Sequence, residues 1–254
     1  MLELELIPKA TLRPYTGLAT WIAGLLPQIA VFTAMLWAAL AAANANVVER
    51  RHVRRPLKWL QRLCTEKLQS VERHIRDQPS FHTVVTFDGS LTGCGATIQF
   101  GVQSLNDIAQ TPILTYFSLR WTAADLALVK VKQGDPAGQA RLEALALLTA
   151  LNTWAKLIAD AQGKLVVRGD ALGVLFDVLR FRARDPVLND LAGEMALVAA
   201  PWGVDLRAVH IWSQKNEVCD SLSRLAADEQ PQIRQLCAVK PSRPVRIEPT
   251  LLGQ

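Results

Sequence analysis

The stretch TVVTFDGSLTGCGATIQF, residues 83–100, decides the fold. TVVTF (83–87) and GATIQF (95–100) are short apolar runs rich in β-branched residues, and PILTYFSL (112–119) repeats the pattern after a polar interval. Gly- and Asn-containing turns separate them, so three neighbouring strands are predicted, and neighbours this close pair antiparallel. Asp88 ends the run Val84, Val85, Thr86, Phe87. A carboxylate in or beside a buried strand needs a cation, a hydrogen-bond network or an altered pKa. Asp-Gly also signals a tight hairpin. The next apolar stretch starts only near Cys94, too late for a two-residue turn, which favours a functional Asp88.

Downstream, the pattern predicts an Ala/Leu-rich helix from about Gln139 to Ala161, a short strand KLVVR (164–168), and helices near 171–182 and 187–199. A fifth strand, VDLRAVHIW (204–212), and a helix beginning near Asn216 follow. The order βββαβααβα describes an α/β fold with a mixed sheet flanked by helices. From Pro231 onward Pro and polar residues dominate, which predicts a loosely ordered tail.

Upstream, no charged residue occurs from Thr16 to Val48, a stretch long enough by hydropathy to span a bilayer. Pro27 and Gln28 interrupt it, and small alanines replace Leu and Ile, so two helices broken at Pro27 fit as well. Residues 49–76 interleave nine Lys or Arg with Leu57, Leu60, Leu63, Leu68, Val71 and Ile75 at helical period. Such a helix presents either a solvated charged face or a phosphate-contacting one. DQPSFH (77–82) reads as a linker.

A chain of 254 residues holds one large domain or two small ones, and its 50% hydrophobic and 20% charged content excludes disordered, collagen-like and coiled-coil classes. The net charge of +5 is compatible with a polyanionic partner. Four cysteines, Cys64, Cys94, Cys219 and Cys237, form no CxxC pair, and the four histidines are scattered, so any metal must be held by carboxylates. A reducing, intracellular compartment (cytoplasm or nucleus) is the simpler reading.

Three further acids draw attention. Glu143 shares a helical face with Leu147, Ala150, Leu151, Trp154 and Ile158, although an acid there also suits a helix N-terminus. Asp170 follows LVVR and Gly169, at the carboxyl end of a strand feeding a helix, where it is either a site residue or an N-cap. Asp220 lies one turn after the candidate N-cap Asn216. Four converging carboxylates repel one another unless cations sit among them, and hard oxygen donors select Mg²⁺ or Mn²⁺.

FDGSLTGCGATI (87–98), EALALLTALNTW (143–154), VVRGDALGVL (166–175) and HIWSQKNEVCDSLSRLA (210–226) together resemble the ribonuclease H domains of retroelement reverse transcriptases of the LTR and DIRS types. The last segment is the most specific, with Asn216, Asp220, Leu222, Ser223 and Arg224 on the pattern and Cys219 where Ala is usual. The resemblance covers about 79–228. It implies a ribonuclease H-like five-stranded sheet, with Asp88, Glu143, Asp170 and Asp220 as the catalytic acids holding two Mg²⁺ or Mn²⁺ ions. The implied activity is endonucleolytic hydrolysis of the RNA strand of RNA–DNA hybrids. The alternative is a decayed remnant that binds nucleic acid without cleaving it. Residues 12–40 resemble the thumb or connection segment preceding such domains, which gives 1–78 as a helical region, 79–228 as the ribonuclease H-like domain and 229–254 as a tail, and makes a membrane span the lesser reading. No polymerase motif occurs, so a polymerase domain would be a partner outside this chain. Arg180, Arg182, Arg184 and Asn216 are candidate nucleic-acid contacts. Trp212 and Ser213 stand where the family has Pro-Gly, Ala171 follows Asp170 where Ser or Asn is usual, and His210 is read as structural.

Overall fold

A computed structural model describes residues 3–67, 81–161, 163–181, 183–202, 205–224 and 239–247. The chain begins with β1 (Leu6–Pro8), α1 (Lys9–Ala23), α2 (Ala30–Ala42), β2 (Val47–Glu49) and α3 (Arg50–Arg62). The uncharged stretch is therefore a helical hairpin. It turns through a 3₁₀ segment at Pro27–Ile29, because proline supplies no N–H to continue a helix. Its base is closed by an antiparallel pairing of β1 with β2, Ile7 opposite Val48, which the sequence pattern did not announce. Among the described residues no single helix is long and apolar enough to cross a membrane; α2, the apolar one, has 13 residues, against about 20 for a span. One bent pair of helices, Pro136–Thr153 with Ala155–Ala161, reaches the length jointly, but the first of them lies in the protein core.

The basic run behaves as an amphipathic helix in α3. Val53, Leu57, Trp59 and Leu60 face inward and Arg51, Arg54 and Lys58 face solvent. Residues 68–76, and most of the linker to 80, lie outside the described residues.

Then come β3 (His82–Gly89), β4 (Gly93–Val102), β5 (Thr115–Arg120), α4 (Ala123–Leu128), α5 (Gln139–Thr153), α6 (Ala155–Ala161), β6 (Lys164–Gly169), α7 (Leu172–Arg180), α8 (Pro186–Ala199), β7 (Asp205–His210) and α9 (Glu217–Arg224). The sheet order is β5-β4-β3-β6-β7. The meander β3–β4–β5 is antiparallel, and β6 and β7 add in parallel. This is the mixed five-stranded sheet flanked by helices that the sequence leads one to expect.

The expected helix from Gln139 to Ala161 is two helices. Thr149, Asn152 and Thr153 each donate a side-chain hydrogen bond to the carbonyl four residues back, which loosens a helix end. Trp154 then leaves helical geometry at φ −111°, ψ 17° and buries its ring against Phe117, with centroids 5.3 Å apart.

Strand alternation splits the core in two. Val85, Phe87, Leu165 and Val167 join the large cluster with α5, a helix buried on all sides from Ala144 to Leu151. Val84 and Val166 face the other way, and α9 packs there, with Leu222 on Tyr116. Residues 239–247, read from the sequence as part of a loose tail, instead pack along the edge strand. Ser242 N–H donates to the Tyr116 carbonyl at 2.7 Å, Trp154 Nε1 donates to Ser242 Oγ at 3.1 Å, and Arg246 pairs with the buried Asp125. These partners lie far away in the chain, so local composition carried no sign of them.

Candidate active site: carboxylates at one sheet edge

Because β3, β6 and β7 are parallel, their carboxyl ends share one edge of the sheet. Asp88 is the penultimate residue of β3, and Asp170 follows the last residue of β6. The β3–β6 register runs from His82 opposite Lys164 to Thr86 opposite Arg168. Continued two residues, it sets Asp88 level with Asp170.

Two glycines bring the remaining acids in. A Cβ on Gly89 would sit 2.8 Å from the Glu143 Cα, so the start of α5 rests directly on the end of β3. A Cβ on Gly95 would sit 2.2 Å from the Leu222 Cβ and 2.8 Å from the Ser223 nitrogen, so α9 lies on the bare backbone of β4. Hydrogen bonds tie α9 down. Asn216 Nδ2 donates to the Phe87 carbonyl at 3.1 Å, Ser90 Oγ to the Ser223 carbonyl at 2.8 Å, and Ser118 Oγ to the Leu222 carbonyl at 2.6 Å. Asp220 is thereby held over the central strands.

The electrostatics register the convergence. Burial raises the Asp88 carboxyl above the usual aspartate value; the Ser223 hydroxyl opposes this, Asp170 and Asp220 add to it, and Arg224 opposes it. Burial pushes Glu143 up to about 7, opposed by a hydrogen bond from Gln139 and reinforced by Asp170 and Asp88. Each acid also has a local donor or cation. Gln139 Nε2 donates to Glu143 Oε1 at 2.9 Å and also reaches the Gly89 carbonyl. Ser213 Oγ donates to Asp170 Oδ2 at 2.7 Å, and Arg224 grips Asp220 Oδ1 through Nη2 at 2.6 Å and Nε at 2.8 Å.

No group of three His, Cys, Asp or Glu side chains among the described residues is set to hold a metal ion. The donor chemistry still fits one. The four carboxylates are hard oxygen donors, and Asp88 and Glu143 are both raised, first by burial and then by their acidic neighbours.

The other candidate contacts fare differently. Asn216 is 2% exposed. Its amide nitrogen donates to the Phe87 carbonyl, which positions α9 and keeps the side chain out of solvent. Arg180 and Arg184 are exposed, but Arg180 ends α7, about 12 Å along the helix from its first residue, and so stands away from the acids. Arg182 lies outside the described residues. His210 closes β7 opposite Gly169 and is exposed. Sequence reasoning missed Gln139 and Ser213 and gave Arg224 no role. The i,i+4 spacings Gln139–Glu143 and Asp220–Arg224 were available signals; nothing local pointed from Ser213 to Asp170. Among the described residues Cys64, Cys94 and Cys219 form no disulfide.

No family model matches the chain, and no curated protein does. Solved structures do. The chain is similar to RNase H1 of the halophilic archaeon Halobacterium salinarum NRC-1, with 18% identity over 59% of this chain and 98% of that one, TM-score 0.39. It is similar to LC11-RNase H1 in complex with an RNA/DNA hybrid, with 17% identity over 59% and 99%, TM-score 0.40. It is also similar to a foamy viral protease-reverse transcriptase in complex with double-stranded DNA, with 14% identity over 81% of this chain and 35% of that one, TM-score 0.33.

Proposed function

We propose that this chain is a metal-dependent endonuclease that hydrolyses the RNA strand of RNA–DNA hybrids, a C-terminal portion of a retroelement reverse transcriptase. The observation that carries the reading is the convergence of acids from separate elements on one sheet edge, where burial first, and neighbouring acids after it, raise Asp88 above the usual aspartate value and Glu143 to about 7. Folding such charges together is costly unless the site exists to take cations. Asp88, Glu143, Asp170 and Asp220 would hold two Mg²⁺ or Mn²⁺ ions, which when bound supply an activated water and neutralise charge as the phosphodiester breaks. The protein's part is positioning. Gln139 fixes the Glu143 carboxylate, Ser213 fixes Asp170, and Asn216 anchors the helix that carries Asp220. A hybrid of A-like shape is recognised by width, phosphates and 2′-hydroxyls, so little base preference is expected.

A second reading, a nucleic-acid-binding remnant, draws on one observation: Arg224 already neutralises Asp220. Cleavage of a labelled hybrid in millimolar Mg²⁺ separates the two. On the nuclease reading, Asp88→Asn lowers the rate at least 10²-fold. Binding by the native chain without cleavage in either metal would instead establish the remnant.

A further inference from the structure

Resting on the nuclease reading, the geometry points to a finer substrate preference: we infer that Trp212 is a stacking platform for an unpaired nucleotide, so that the site favours hybrids carrying a single-stranded extension. Trp212 is 71% exposed, the extreme among the large apolar side chains described. A ring of that size gains nothing by standing in water, and free aromatic faces beside a nucleic-acid site stack on bases.

Its placement is fixed from both sides. Ile211 N–H donates to the Gly169 carbonyl at 3.0 Å, and Ser213 Oγ donates to Asp170 Oδ2 at 2.7 Å. The residue between these two anchors is therefore held next to a site carboxylate. The His210 ring meets the Trp212 ring edge-on, with centroids 5.5 Å apart and planes at 77°. That contact steadies the indole, which still keeps most of its surface in solvent.

Asp170 is flanked on its other side by α7. Leu172 and Phe176 on this helix are each 49% exposed, and the Arg180 guanidinium lies over the Phe176 ring at 5.8 Å. Spacing of four residues puts all three on one face, a row of apolar, aromatic and cationic groups leading away from the acids. In a duplex the base faces are already covered by neighbouring bases. An exposed indole followed by such a row therefore has its full partner only in an unpaired strand, whose bases are free to stack and whose phosphates suit Arg180.

The test uses the full chain without metal and measures fluorescence anisotropy of two labelled probes: a blunt RNA–DNA hybrid, and the same hybrid with an extension of about six unpaired nucleotides. The expected result is about tenfold tighter binding of the extended probe, corresponding to one stacked base. Trp212→Ala brings the ratio of the two affinities close to one, and Trp212→Phe, which keeps a ring, retains most of it. The ratio is an internal control, since a misfolded variant loses both probes together. An equal affinity of the native chain for the two probes overturns the inference, as does an unchanged ratio in Trp212→Ala. Failure of the nuclease reading is separate, since it appears as absent cleavage of the blunt hybrid in Mg²⁺ and leaves the ratio readable.

Discussion

Glu143 shows how a single side chain reports the purpose of its surroundings. Its carboxyl sits at about 7 in the folded chain, against 4.5 ordinarily, so the folded state prefers the neutral form. The stability this confers is fully present below about 4.5 and is lost as pH rises through about 7. Glu194, also raised to about 7 by burial, titrates in the same direction and window. The metal-free protein should therefore melt at a lower temperature at pH 8 than at pH 5. Glu143→Gln should remove part of that slope and raise stability at pH 8 by about 1 kcal/mol, a shift of roughly 2–4 °C. Added Mg²⁺ should stabilise the native chain more at pH 8 than at pH 5, because it favours the ionised carboxylates. Calorimetric melting at both pH values, with and without metal, checks all three. From the sequence, Glu143 looked like an ordinary acid heading an apolar stripe. Its distinguishing property arises first from burial against β3 and then from Asp170 and Asp88, all far away in the chain, and no local pattern could show that.

At the scale of elements, the candidate site is assembled because two helices come closer to the sheet than side chains normally permit. The strands were legible because alternating and β-branched runs declare themselves. The contact of α9 with β4 was not, since a glycine within a strand announces only a weak spot or a close approach without naming what approaches. Gly95 answers that question: Leu222 and the Ser223 backbone occupy the space its side chain would fill. Because the obstruction includes backbone, rotamer changes cannot relieve it. Gly95→Ala should displace α9, cost about 1–3 kcal/mol, and carry Asp220 away from Asp88. On the proposed nuclease function, hybrid cleavage should then fall well beyond what the loss of folded protein explains, as an activity assay normalised to the folded fraction would show. Native-like cleavage by a folded Gly95→Ala would mean that α9 does not set the position of Asp220.

For the whole molecule, the N-terminal helices and the sheet share one continuous core, with Phe32, Trp59 and Leu63 in the same cluster as Phe87, Leu147 and Met195. Trp59 is the joint. Its ring occupies the space beside Gly193, where a Cβ would come within 2.9 Å, and meets Phe32 at 5.3 Å. Its Nε1 donates to the buried Glu194 at 3.0 Å, while Arg55, stacked on the ring at 4.5 Å, pairs with Asp190 at 2.6 Å. The amphipathic period of α3 foretold an inward face, but a tryptophan on one helix carries no mark of the glycine it will meet on another. A joint that combines packing with a hydrogen bond to a buried carboxyl should make the regions melt together. Trp59→Ala should cost about 3–5 kcal/mol, because it opens a cavity and also leaves Glu194 without its donor. Trp59→Phe keeps most of the packing and loses the N–H, so it should cost about 1–3 kcal/mol and raise the Glu194 pKa further. In calorimetry the native chain should show one transition and Trp59→Ala a lower one. Two well-separated transitions in the native chain would show that the helices and the sheet fold independently, and that this joint does not couple them.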